Sequence, residues 1–462
     1  MGAGRIETEV HTRFESCEAE LRELINHSPN NNPFLTLDWL KLWWAHFGQD
    51  RNLHLLLFRQ GEHLVGFAPF YRVDRPMFHL SEYRFLGHET SNYLDIVCLP
   101  GFEEAVVDSL LAHFSTMSTP SIVHLHDIND RFSQCYASLS RKLSEDGWYA
   151  SVFKLYPCPM AHLGDDWDTF FQHQRSRKSR KNLRRSERQL SQIGSWCFRE
   201  VTDPSEFSCL FPQMERLHAE RFRETINPLL TGSNRDFLFS ALRQLVASQI
   251  SLSVIELDGV LVSFLIGFKM GDVFVDYAPA FDPALASFSL GQIHLMQLMK
   301  KKLDEGFKYF DFSKGEAPYK RWWSNKETTN YLFLLGFNLG SLGLLYIKWL
   351  ELTLRIILAI REKGYNKRIK QWVGMLQNRT LLARRKSRVR IQEIQESSID
   401  STSPSFPWSY QRIQGLPVEA RKAIVERVIK LDPRSVKVSL DSERRTGKLL
   451  SDNGNTDYLI RY

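Results

Sequence analysis

The sequence predicts a mixed α/β (α+β) fold of two tandem units, each a mostly antiparallel mixed sheet flanked by helices, followed by a basic helical extension. Three observations predict it. Strand-like runs alternate with amphipathic helical stretches through the first 340 residues. The hairpin LLLFRQGEHLVGFAPFYR returns in rhythm as LSVIELDGVLVSFLIGFK, with Gly61 and Gly259 at the turns. The charge balance also changes sign along the chain. After residue 340 there are 24 Lys and Arg against 12 Asp and Glu, and before it 36 against 41.

Taken in order, residues 36–47 read as an aromatic amphipathic helix, with Trp39, Leu42, Trp43 and Phe47 at three- and four-residue spacing. Strands follow at 54–58 and 64–72, then at 83–86 and 93–99. A helix at 103–114, a strand at 122–125 and a helix at 132–143 complete the first unit. The second unit starts near Met160 with helices at 167–174 and 175–188. A strand at 198–201, helices at 205–223 and 236–248, and strands at 252–257, 260–268 and 273–277 come next. The last strand is expected at 331–336. The expected boundaries are 1–159, 160–338, a helical basic extension at 339–396, and a linker and polar, partly disordered tail at 397–462 with one helix-like piece near 417–429.

With 462 residues, a net charge of +7 and 43% hydrophobic residues, the composition is that of a globular protein with room for two or three cores. The six cysteines have no CxxC pair and no histidine at ligand spacing, so neither disulfides nor a metal is expected. The first twenty residues contain no apolar h-region, which points to the cytoplasm. No GxSxG, HExxH or phosphate-binding Walker loop supports a hydrolase, a zinc protease or an NTPase. The uncharged run 331–347 is short and broken by Gly336, Gly340 and Gly343, so it is not expected to span a membrane.

The second unit turns on SFSLGQIHLMQLMKKKLDEGFKYFDFSKGEAPYKRWW, residues 287–323. A Ser-Leu-Gly turn feeds a helix that Gly306 ends, and its closing lysines suit the negative end of the helix dipole. A short aromatic strand and a loop then deliver Lys320. The open amides at the start of such a helix suit a phosphate, although Ser before an apolar run is also an ordinary helix cap.

Asp311, Phe312, Gly315, Tyr319, Lys320 and Trp323, with the Ser-x-Gly turn before them, resemble the GNAT acyltransferase superfamily. The branch they resemble is that of the CelD-type proteins with a BioF2-like acetyltransferase domain, associated with cellulose and exopolysaccharide biosynthesis. The layout is also similar to the Fem-type aminoacyltransferases, and the resemblance covers roughly residues 30 to 335. It implies two GNAT-like units and an acyl-CoA donor, acetyl-CoA above all. The donor's pyrophosphate would meet Ser289, Leu290, Gly291 and Gln292, and its pantetheine would lie between strands 273–280 and 309–312. The usual Gln/Arg-x-x-Gly-x-Gly/Ala loop is reduced here to Ser-Leu-Gly.

Lys320 is the residue expected to neutralise a phosphate or a developing oxyanion, against a plain solvated lysine or a structural pair with Asp311. His218 is a candidate general base, with Glu220 and His294 as alternatives. His218 and Arg221 in LHAERF resemble the family's Leu-His-x-x-Arg pattern. Arg221, Asp311 and Tyr319 are expected to touch substrate.

Residues 175–188 carry eight basic side chains, with Arg177, Lys181, Arg184 and Arg188 on one side. Such a stripe suits a nucleotide-linked sugar, the CoA 3′-phosphate, an anionic lipid or tRNA, unless it is a solvated face against the acidic body. Expected partners are therefore acyl-CoA and a small-molecule acceptor, with tRNA in their place if the protein works in the Fem manner. A non-catalytic scaffold of a polysaccharide synthase is the third reading. At 341–363 one helical face bears Lys348, Glu351, Arg355 and Glu362, and another bears Leu345, Trp349, Leu352, Ile356 and Ala359. With the basic run after it, that helix either attaches to an anionic inner membrane face or packs on the body.

Overall fold

The computed structural model describes residues 6–29, 31–142, 148–223, 229–246, 248–362, 390–394, 406–431, 436–441, 446–451 and 457–461. The first repeat runs β1 (Ile6–His11), α1 (Glu18–His27), α2 (Leu37–Phe47), β2 (Asn52–Gln60), β3 (His63–Arg75), β4 (Leu80–Phe85), β5 (Val97–Cys98), α3 (Glu103–Thr116), β6 (Ser121–Asn129), α4 (Tyr136–Lys142) and β7 (Tyr149–His162). After α5 (Trp167–Gln174) and α6 (Arg177–Ile193), the second repeats that order. It comprises β8 (Trp196–Val201), α7 (Phe207–Arg221), α8 (Gly232–Leu245), β9 (Ile250–Leu257), β10 (Val260–Met270), β11 (Val273–Phe281), α9 (Leu290–Asp304), β12 (Tyr309–Asp311), α10 (Pro318–Trp323) and β13 (Lys326–Phe337).

Each repeat holds one parallel pair, β4 with β6 and β11 with β12, and every other pairing in this sheet is antiparallel. Parallel neighbours need a crossover, which α3 and α9 provide. Gly61 and Gly259 occupy the matching β2–β3 and β9–β10 turns, both with positive φ, at 58° and 75°. A side chain there would strain the turn, which is why glycine marks both hairpins.

The tandem units do not keep separate sheets. Among the described residues the strands join in the order β1-β2-β3-β4-β6-β13-β7-β12-β11-β10-β9-β8, with β5 on β3. The last strand of each repeat crosses over: β13 lies between β6 and β7, and β7 between β13 and β12. A boundary at 159/160 therefore falls inside β7. The sequence reading missed β7 because Pro157 and Pro159 interrupt its strand pattern. It also missed β1 and α1. The main core is continuous across the halves, for Trp39 of α2 packs edge-on against Phe237 of α8 (4.8 Å) and Phe268 of β10 (5.2 Å).

The run 331–347 is divided between β13 and a further helix, α11 (Ser341–Glu362). Most of the basic segment 363–390 lies outside the described residues. The polar tail contains α12 (Val418–Val428), where a helical piece near 417–429 was expected, and also a second sheet that was not. Its strands, β14 (Arg390–Ile394), β15 (Phe406–Pro407), β16 (Val436–Asp441), β17 (Thr446–Ser451) and β18 (Asp457–Arg461), run β14-β18-β17-β16-β15. Tyr410, Ile413, Ile424 and Val425 pack against Leu285, Phe288, Leu290 and Ile293, so this module sits on the turn that opens α9. Its strands gave no periodic signal, because their apolar residues are dispersed in a polar sequence.

Candidate active site

Strands β11 and β12 pair only over Val273–Val275 and Tyr309–Asp311. Beyond that point β11 continues to Phe281, while the other chain turns away and Phe312 N–H bonds the Pro159 carbonyl at 3.0 Å. The expected divergence of these two strands is present. A bulge at Tyr277, between the pairs Gly267–Asp276 and Ile266–Ala278, re-aims β11 at this place.

Asp276 stands at the start of the gap. It is 2% exposed, and neither carboxylate oxygen has a hydrogen-bond partner. Burial pushes its carboxyl up to about 7, with the Lys320 charge opposing that rise. The sequence reading did not single it out. Its signal was a lone acid inside the apolar run VFVDYAPA.

Lys320 arrives from α10 rather than from a loop, and it is 7% exposed rather than solvated. Its Nζ donates to the carbonyls of Ser313 (3.2 Å) and Lys314 (2.7 Å). An ammonium has three N–H donors, so one remains. Burial holds this amine below its usual range, while Asp276 and Asp311 act against that. The structural Asp311–Lys320 pair is not made: Asp311 accepts from the Tyr93 hydroxyl and from Ser313 N–H (2.8 Å). Asp311 is fully buried, and desolvation raises its carboxyl to about 6. Ser313 links the two acids, since its hydroxyl donates to the Asp276 carbonyl and accepts from Asn92 Nδ2 at 2.8 Å. The site is thus assembled from both repeats.

The remaining expected residues divide. Tyr319 is half-buried; desolvation and the Asp276 charge raise its hydroxyl pKa well above the ordinary value, while Arg221 lowers it. Arg221 lies over the Phe281 ring at 4.8 Å, and Phe281 in turn is the neighbour that a Cβ on Gly291 would meet at 3.1 Å. The path from Tyr319 to the α9 turn is therefore continuous.

Ser289 is left-handed (φ 55°) and gives the helix no side-chain cap, leaving the Leu290 and Gly291 amides at the mouth of α9. Gln292 accepts from the buried Trp323 indole at 2.8 Å, tying α9 to α10. His218 is buried against Phe222 (4.6 Å), and desolvation lowers it to about 4, so it is neutral near pH 7. Glu220 is engaged by Arg421. His294 is held between the hydroxyls of Ser253 (2.8 Å) and Ser263 (2.7 Å), and burial lowers it to about 3. Both are committed to structural partners. Among the described residues, no group of three His, Cys, Asp or Glu side chains is placed to hold a metal.

Next to this buried centre α10 shows Arg321 and Trp322 outward into an open cleft of about 460 Å³ shared with Lys178 and Asn182. Arg175, one of the eight basic residues but not of the stripe, lies buried over the Trp323 ring at 4.6 Å. The stripe residues, Arg177, Lys181, Arg184 and Arg188, line a second cleft of about 860 Å³ along α6.

Lys320→Met removes a charge-assisted donor contributing about 1.5–3 kcal/mol, so kcat/KM is expected to fall roughly ten- to a hundredfold. Because Nζ also holds two carbonyls, the melting temperature falls as well. Unchanged turnover and donor affinity would remove Lys320 from the site.

Comparison with known proteins agrees in kind. Residues 177–321 match the family described as Acetyltransferase (GNAT) domain. A comparison with curated sequences gives no match. Similar solved structures include FemX, with 10% identity, TM-score 0.48, and coverage of 71% of this chain and 96% of that one. Another is the C-terminal domain of a putative lysylphosphatidylglycerol synthetase from Agrobacterium fabrum, at 12%, 0.44, 70% and 92%. A tandem GNAT protein from the clavulanic acid biosynthesis pathway gives 8%, 0.37, 71% and 98%.

Proposed function

We propose that this protein, a transferase carrying a GNAT-type acetyltransferase domain over residues 177–321, moves an acyl group from acyl-CoA to an amine or hydroxyl where β11 and β12 diverge. The observation that carries this reading is the Asp276 carboxylate, buried and unpartnered within electrostatic reach of Lys320. An uncompensated buried acid costs stability, and a non-catalytic scaffold gains nothing from it. A proton acceptor poised near neutrality gains its function from it. The acceptor's N–H or O–H gives its proton to Asp276 as its nitrogen or oxygen bonds the acyl carbon. The bond from that carbon to the carrier sulfur then breaks, and the sulfur leaves with its electron pair. Lys320 offers the positive charge for the oxyanion in between. His218, neutral and packed on Phe222, is placed second to Asp276 as base. The likeness of the Asp311–Trp323 motif to CelD-type proteins supports a sugar-derived envelope or exopolysaccharide precursor as acceptor.

A second reading, an aminoacyl-tRNA donor, is favoured by the basic cleft along α6. Two measurements separate them. With acyl-CoA as donor, micromolar acetyl-CoA raises the melting temperature; at a hundredfold excess over Kd the gain is about 2.7 kcal/mol. With a tRNA donor, tRNA binding weakens steeply with salt and is lost in Arg177→Ala/Lys181→Ala/Arg184→Ala. A shift with acetyl-CoA and no tRNA binding at low salt supports the first reading, and the reverse transfers it to the second. Neither response would contradict both.

A further inference from the structure

Helix α11 turns its apolar side away from the protein. Leu342, Leu345, Trp349, Leu352 and Ile356 follow at three- and four-residue spacing, and all are about half exposed or more, Leu345 at 66% and Trp349 at 58%. The opposite side does the packing: Tyr346, Ile347, Leu350 and Leu354 meet Leu80, Ile122, Phe153 and Leu332. Glu351, grouped in sequence with Lys348 and Arg355 on one charged face, is drawn inward. It accepts from Tyr149 (2.5 Å) and from the Ser151 hydroxyl. Of the two placements expected for the apolar stripe, packing on the body is therefore excluded. Lys348 and Arg355 flank the stripe, with side chains 62% and 68% exposed. Directly after the helix, residues 363–390 contain ten Lys and Arg and no Asp or Glu.

We propose that this face of α11 docks on an anionic lipid bilayer surface. The apolar stripe enters the boundary between headgroups and acyl chains, and Lys348, Arg355 and the basic run pair with the headgroups. Charge decides between this occupant and a second copy of the chain. Two stripes face to face would bring the exposed Lys348 and Arg355 of both copies together, whereas an anionic surface neutralises them. The contact is peripheral, since among the described residues no helix is long and apolar enough to cross a membrane. This inference stands apart from the acyl-transfer reading and is tested without it.

The test is co-sedimentation of the full chain with vesicles of phosphatidylcholine alone and of phosphatidylcholine with about one-third phosphatidylglycerol. The protein is expected to bind the anionic vesicles and not the neutral ones. Leu345→Glu/Trp349→Glu, at exposed positions whose change leaves the melting temperature in place, lowers that partition at least about tenfold. Equal partition of the variant and the unaltered protein overturns the proposal. So does binding that the variant retains and salt abolishes, which would belong to the basic run alone. Equal binding to both vesicle types, or no vesicle binding together with a dimer that the variant disperses, overturns it as well.

Discussion

Asp276→Asn is expected to lower turnover by about 10²–10⁴-fold, the usual contribution of a positioned general base, with donor affinity little changed. The substitution is nearly isosteric, so the site keeps its shape and loses only its proton acceptor. The same change has the opposite effect on stability. The folded carboxyl sits near 7, above the range of an unfolded aspartate near 4, so between those values the folded state binds more protons. Stability therefore falls as pH rises through that window, and the unpaired charge is carried in full above it. Asparagine carries no such charge. Its melting temperature at pH 8 is expected to exceed that of the unaltered protein, by an amount on the order of 1–4 kcal/mol in stability. Loss of activity accompanied by a gain in stability is the signature of a functional acid rather than a structural one. A variant less active and also less stable at that pH would place Asp276 in the framework.

Arg421→Leu is expected to destabilise the protein by about 3–5 kcal/mol, because it removes one partner of a buried charge network. The Arg421 guanidinium is 1% exposed and pairs with Asp282 at 3.0 Å and with Glu220. It also donates to the Leu416 carbonyl at 2.6 Å. Leucine would leave two carboxylates without their cation, and Tyr410, which donates to Asp282, would not replace it. The effect should reach the site. Glu220 precedes Arg221 at the end of α7, and Asp282 accepts from Ala284 N–H in the turn that leads to Ser289. Donor KM is therefore expected to rise along with the fall in melting temperature. A thermal melt unchanged from that of the unaltered protein would mean that α12 does not dock through this network.

Most secondary structure was legible because both periods were written clearly into the sequence. The two hairpins, α2, α9 and the strand before Lys320 follow from alternation, three- and four-residue spacing, and glycine at the turns, whereas the short helix that carries Lys320 was read as a loop. The merging of the two sheets was not legible, since it depends on β7 and β13 exchanging places, and β7 is the strand whose prolines hide it. The candidate site was legible where a motif pointed to it, as at Asp311, Tyr319 and Lys320. It was not where chemistry depends on burial. Asp276 acquires its character from burial beside the bulge at Tyr277 and from the charges of Lys320 and Asp311, neither of them near it in sequence. Glu220 and His294 read as available groups and prove to be committed, because Arg421, Ser253 and Ser263 reach them from tens to hundreds of residues away. On α11 the exposed apolar stripe was picked out in sequence, but the packing side, Tyr346, Ile347, Leu350 and Leu354 with Glu351 drawn inward, was not.

The pH dependence of kcat/KM for acyl transfer or donor hydrolysis tests the central claim most directly. A base that works only when deprotonated makes the rate fall tenfold per pH unit below its pKa. The account predicts an acidic limb of unit slope with its midpoint near the value of about 7 that burial gives Asp276, and its absence from the residual activity of Asp276→Asn. A profile flat from about pH 5 to 8, or the same limb retained in Asp276→Asn, would contradict it.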